Sequence, residues 1–213
     1  MATFKIEAKN LRKLAKQIER RVEPAERALN QTVSDMKSRV PGYVADEVTK
    51  VYNIKKSEVM PAKIKKGGKW SKPAGRGKIT IMGKTLTGLI IKYEGELITP
   101  THFNMKPVKP YKSKTIKRKG KIRKQRQRYS ITAEIIKGQR KELHPDAFLG
   151  TNKGGGYIPF RRRTNKAKPI DAIKSVSMPQ MVRSEKVYPA ISVKVNSELE
   201  KRLEHNMKRF LDK

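Results

Sequence analysis

From Lys106 to Arg128 the chain carries twelve lysines and arginines and no acid. They are Lys106, Lys109, Lys112, Lys114, Lys117, Arg118, Lys119, Lys121, Arg123, Lys124, Arg126 and Arg128. The chemistry open to such a block is anion binding, through charge-assisted hydrogen bonds to phosphate oxygens or carboxylates. Like charges at this density repel, so the segment is expected to be a solvated loop or arm rather than core. A loop this long inside a compact domain is usually functional or disordered. A second cationic group follows at Arg161-Arg162-Arg163. Along a strand, Arg161 and Arg163 share one face and Arg162 takes the other. The exposed face suits a phosphate or acidic partner, or equally a charged edge that discourages strand pairing. Lys112 through Arg128 with Arg161 and Arg163 are therefore candidate contacts to DNA or to an acidic protein.

Other chemistry finds little support. Met82-Gly83-Lys84-Thr85 ends like a phosphate-binding loop. The full motif needs a glycine five positions before Gly83, and that position is Lys78, with Gly77 one residue too early. His102, His144 and His205 lie far apart without metal-ligand spacing and read as packing or turn residues. Glu198, Glu200 and Glu204, with Asp35, Asp46 and Glu47, are accounted for by pairing with lysine on helix surfaces. No serine, histidine and acid constellation emerges. The expectation is a protein that is not an enzyme and holds no cofactor or metal.

Composition narrows the class. Apolar residues are 36% of the 213 and charged residues 33%, which makes a thin core for this length. The net charge is +33, from 52 Lys+Arg against 19 Asp+Glu, so an anionic partner is expected. There is no cysteine for disulfide or thiolate chemistry. No run reaches the roughly 18 apolar residues of a membrane span. MATFKIEAKNLRK lacks the apolar region of a secretory signal, so synthesis and assembly in a cytoplasm are expected.

The elements that must position the cations follow from periodicity. Phe4 and Ile6 alternate with Lys5 as in a short strand. Leu11, Leu14, Ala15, Ile18 and Val22 recur at helical spacing after Asn10, a candidate N-cap. A bent helix is expected from about 24 to 52, started by Pro24 and disturbed at Pro41-Gly42. Residues 61–77 read as a loop, with Trp70 either closing over a sheet edge or stacking on a base or partner. Ile79 and Ile81, then Leu89-Ile90-Ile91 with Tyr93, read as strands. Tyr129, Ile131, Ala133 and Ile135 alternate with polar residues. After a turn at Lys137-Gly138-Gln139, Arg140 to Leu149 is expected to pair back, giving a meandering antiparallel sheet. Val187, Ile191, Val195, Leu199, Leu203, Met207 and Leu211 recur every four residues in a closing helix, with Pro189 in its first turn. Such a line drifts about 40° per step. Either the helix bends around its own sheet, or its ends contact different bodies, one a neighbouring subunit. The fold class is α+β: N-terminal helices and a long C-terminal helix on an antiparallel sheet, with a long basic loop, in one domain.

Residues 144–181 carry the most distinctive pattern. His144-Pro145-Asp146-Ala147-Phe148 leads through Leu149 to a glycine turn at Gly154-Gly155-Gly156. Tyr157-Ile158-Pro159-Phe160 and the arginines follow, then Pro169-Ile170 and Ser177-Met178-Pro179-Gln180-Met181. Glycine-rich turn chemistry between two apolar runs predicts a β-hairpin. The prolines at 169 and 179 predict an extended segment that is not helical throughout. This string resembles the C-terminal half of the minor tail protein Z, or tail completion, family of tailed phages and prophages. The likeness continues through KRLEHNMKRFL and more loosely through the N-terminal helices and Thr101-His102-Phe103.

The resemblance implies a structural virion protein that completes the head-proximal end of the tail and helps join head to tail. It implies a homo-oligomeric ring, a hexamer, stacked with a tail terminator ring and head-completion proteins of the neck around the DNA channel. Phe148, Pro179, Met181, Leu199 and Leu203 are then candidate subunit-interface residues. The basic arm would enter the lumen and touch DNA, or reach an acidic neighbouring ring, the second being favoured because a lumen that grips DNA hinders its passage. The competing reading is a stand-alone basic nucleic-acid-binding protein. It is supported by charge but not by an RNA-binding aromatic signature, zinc-finger spacing or a recognition helix.

Overall fold

The computed structural model describes residues 2–6, 22–61, 74–82, 89–118, 121–125 and 129–211. Leu11 to Ile18 of the first expected helix, with Asn10, Trp70 and the Gly83-Lys84-Thr85 segment, lie outside them. The fold is α+β, with helices and antiparallel sheets. It divides into two compact units, each discontinuous in sequence. Among the described residues the strands form four separate sheets rather than one meander.

The first unit comprises residues 1–51, 55–96 and 177–213. Its sheet is β1 (Ala2–Ile6), β2 (Lys78–Met82) and β3 (Leu89–Glu94), with β3 central and antiparallel to both neighbours. Ile91 and Tyr93 of β3 are buried. Helix α1 (Val22–Val51) passes through Pro41 without ending. It buries Ala25, Ala28, Met36, Val40, Val44, Ala45 and Val48. A short α2 (Lys56–Val59) follows. The chain returns to this unit through α3 (Met178–Arg183) and α4 (Tyr188–Leu211), which has Pro189 in its first turn.

Helix α4 packs along α1. Val187, Ile191, Val195, Leu199, Leu203 and Met207 are all buried. As far as Met207 the apolar line is therefore covered within the chain: α1, about 45 Å long, lies alongside it. Near the far end a polar cluster takes over. Asn206 donates from Nδ2 to Thr32 Oγ1 at 3.0 Å and to Asp35 Oδ2 at 3.2 Å. Thr32 in turn donates to the Ala28 carbonyl at 2.7 Å. Tyr43 Oη donates to Glu198 Oε2 at 3.1 Å, so higher numbers on α1 meet lower numbers on α4 and the pair is antiparallel.

Ser177 begins α3 with a capping box. The Gln180 N–H donates to Ser177 Oγ at 3.4 Å, and the Ser177 N–H donates to Gln180 Oε1 at 2.8 Å. The Ser177-Met178-Pro179-Gln180 stretch is therefore a helix start, not an extended segment, and Pro179 fits because the first turn needs no donor there. Ser177→Ala is expected to lower unfolding stability by about 1 kcal/mol, read from the denaturant midpoint at unchanged slope. Ser177→Asp, which keeps an acceptor at the cap, should recover most of that loss.

The second unit comprises residues 52–54 and 97–176. Strands β6 (Thr132–Ile136) and β7 (Gln139–Glu142) form a hairpin. Bridges Tyr52↔Ile136 and Lys106↔Thr132 extend it. Met105, Ile131, Ala133 and Leu149 form its core, with Tyr129, Leu143 and Ala147 against them. The return strand stops at Glu142 instead of continuing to Leu149, because Pro145-Asp146 turns the chain into a different sheet. That sheet orders β10 (Ile170–Ala172), β9 (Tyr157–Arg162) and β8 (Phe148–Thr151). The expected hairpin over the glycine turn is present as β8–β9. Asn152 Oδ1 accepts the Gly154 and Gly156 N–H groups, each at 2.9 Å, and Gly155 takes φ 76. Gly150 sits so close to Phe160 that a Cβ there would stand 2.9 Å from the ring, so the Phe148–Phe160 stack excludes any larger residue.

Candidate anion-binding surface

The basic segment is not a structureless loop. It contains an antiparallel ribbon, β4 (Lys114–Arg118) and β5 (Lys121–Gln125). Thr115, Ile116 and Ile122 supply β-branched residues on both sides of Lys119-Gly120, a composition that favours strand–turn–strand. The register sets Lys114 opposite Gln125, Lys117 opposite Ile122 and Arg118 opposite Lys121. By alternation, Lys114 and Lys121 share one face, and Lys117 and Ile122 the other. All four are exposed, Ile122 at 75%. Among the described side chains neither face is covered, so these residues add nothing to the core, as the charge pattern predicted.

Lys112 is also exposed. Lys119, Arg126 and Arg128 lie outside the described residues, as do the side chains of Arg118, Arg123 and Lys124, whose backbones are in the ribbon. Among the described residues, Lys114, Lys117 and Lys121 have no ion-pair partner.

At the root of the ribbon, Tyr111 on the ascending chain and Tyr129 on the descending chain pack at 5.0 Å between centroids. They border a groove of about 1040 Å³ that continues past Pro110, Phe148, Arg162 and Arg163. The Arg162 guanidinium lies 5.1 Å over the Phe148 ring, a cation–π contact that holds its charge at the groove wall. Phe148 is thus half-buried beneath an arginine and stacked on Phe160.

Arg161 and Arg163 do share a face, lining a hollow of about 500 Å³ with Leu143, His144, Asp171 and Lys174. Arg163 is held there by Asp171, which accepts from Nε at 2.6 Å and from a terminal nitrogen at 2.8 Å. The hydrogen bond to Arg163 keeps the Asp171 carboxyl below the usual carboxylate range, and the same bond raises Arg163. Both groups are in water, so the pair is worth little to stability. His144 Nδ1 accepts the Asp146 N–H at 3.1 Å, which leaves Nε2 as the protonated nitrogen of the neutral ring.

The other proposed sites fare unevenly. Pro179 and Met181 lie buried in α3, and Leu199 and Leu203 in the α1–α4 seam. Their apolar surface is covered by their own chain, so they are not available to a second subunit. Of the five interface candidates only Phe148 keeps partial exposure. His102 ends a 3-10 turn (Pro100–His102) and His205 is exposed on α4. No group of three metal-ligating side chains occurs among the described residues. Among those residues no helix is long and apolar enough to cross a membrane. Sequence reasoning missed the Tyr111–Tyr129 clamp, the Arg162–Phe148 contact and the share of His144 and Lys174 in the second hollow. These are contacts between residues distant in the chain, and only the hairpin signal of Gly154–Gly156 hinted at one of them. No family model, no curated protein and no solved structure matches the chain.

Proposed function

We propose that the protein is a structural component of a phage tail and neck, completing the head-proximal end of the tail. In this reading copies of the chain join into a ring, a hexamer, that stacks with tail terminator and head-completion proteins around the DNA channel of the virion. The observation that carries it is the cationic ribbon, exposed on both faces and built on a chain of net charge +33. A device of this kind holds its charge out of its own core and is suited to an anionic body beyond the subunit. The 144–181 string supports the phage assignment by resemblance. The helix pair, closed by its own polar cluster, gives such a ring a rigid strut. Ring contacts fall to surfaces other than Pro179, Met181, Leu199 and Leu203, and a closed ring would use head-to-tail contacts.

The test is native mass measurement of the purified protein, alone and mixed with tail tubes. A closed oligomer, or one formed on addition of tubes, is expected. A monomer under every condition, absent from purified virions, would overturn the reading. The stand-alone nucleic-acid-binding alternative draws on the same ribbon and predicts that monomer.

A further inference from the structure

We propose that the ribbon of β4 and β5 is a sequence-independent contact to duplex DNA, lying in the major groove with its lysines reaching phosphates on either side. Two observations converge. First, the ribbon is the right body for that groove. Two strands lie about 4.8 Å apart, and their five residues span about 17 Å. The major groove, about 12 Å wide, admits a two-stranded ribbon. Second, lysine occupies both faces, Lys114 and Lys121 on one and Lys117 on the other, and all three are exposed. Lying flat in the groove, the ribbon turns its β4 edge, with Lys114 and Lys117, toward one phosphate backbone and its β5 edge, with Lys121, toward the other.

An acidic protein partner is the weaker occupant. Protein interfaces are anchored by buried apolar and aromatic side chains. The described ribbon side chains offer one such anchor, Ile122. A helical array of phosphates needs none, and affinity comes from released counterions. The inference does not require the ring: a monomer could bind duplex in this way, and a ring could form with the ribbon turned elsewhere.

The experiment is a salt titration of the full-length protein against a short fluorescent duplex of mixed sequence. It compares wild type with K114Q/K117Q/K121Q and with a control of equal charge change, K37Q/K55Q/K186Q, whose lysines are exposed on the first unit. Each lost phosphate contact lowers the slope of log affinity on log salt by about 0.9, so the ribbon variant should lose up to about 2.7. The control should keep the wild-type slope to within about 1. K114R/K117R/K121R should restore the wild-type value. Thermal melting of the ribbon variant should match wild type, since neither face is core. Equal slopes for ribbon variant and control would show generic adhesion and overturn the proposal. Displacement of duplex by polyglutamate at equal charge would overturn it in favour of an acidic protein partner. Equal competition by single strands would exclude the groove.

Discussion

Met181→Ala is expected to destabilise the isolated chain by about 2–5 kcal/mol, the cost of deleting a buried long side chain and leaving a cavity. Met181 is fully enclosed, and Met178 and Val182 of the same short helix are buried with it. The measurement is urea unfolding of dilute protein, at concentrations where no oligomer is present. If Met181 served a subunit interface instead, dilute protein would unfold at the wild-type midpoint and only assembly would weaken. Leu199→Ala and Leu203→Ala should behave as Met181→Ala does, each through the α1–α4 seam. A shift in midpoint without a change in slope would mark a loss of packing and not a change in the unfolded state.

Asn206→Leu is expected to cost about 1–3 kcal/mol, because it removes a donor from two oxygens in or beside the helix seam. Asn206 is 1% exposed and Thr32 2%. Thr32 keeps its bond to the Ala28 carbonyl, so the larger loss falls on Asp35. Burial raises the Asp35 pKa, but hydrogen bonds from Asn206 and Gln31, with the charges of Arg202 and Arg39, outweigh it, and the net shift is downward. The sign follows. A carboxyl with a lowered folded pKa contributes stability that is present above its unfolded value, about 3.9, and lost as pH falls through the folded value below it. Wild type should therefore lose stability on acidification through that window, and Asn206→Leu should lose less. Equal acid sensitivity in the two proteins would show that Asn206 does not hold the carboxylate. A paired substitution, Asn206→Leu with Asp35→Leu, should recover stability relative to the single change, because it removes the stranded partner along with the donor.

Much of the α+β architecture was legible in the residues. Ile131 and Ala133 alternate with polar neighbours and are buried as that pattern requires. The α1 face of Ala28, Thr32, Met36 and Val40 is buried, and Leu29 and Val33 beside it are partly so. Arg161 and Arg163 share a face because a strand has a period of two. What escaped has identifiable causes. The spacing of four from Val187 to Met207 says that a helix face is apolar but not which body covers it. An interface and a core residue read alike there, so Leu199 and Leu203 were misplaced. The charge of the 106–128 block outweighed the β-branched residues within it and concealed the ribbon. Ser177 and Gln180 make a capping box that was present in the letters, but Pro169 and Pro179 argued for extended chain. The contacts of Asn206 with Thr32 and Asp35 join positions more than 170 residues apart, and no local pattern encodes them.

The helix pair also has a consequence for biosynthesis. Helix α1 finishes at Val51, yet the helix that covers its apolar side starts only at Tyr188. At about 5–20 residues per second, a ribosome takes on the order of ten seconds to make the intervening chain. Throughout that interval the nascent α1 carries its greasy stripe without its proper mate. A message truncated before that last helix would release a chain with the stripe still bare, one that chaperones would retain or proteases remove. Completion of translation thus becomes the event that lets the helix pair close.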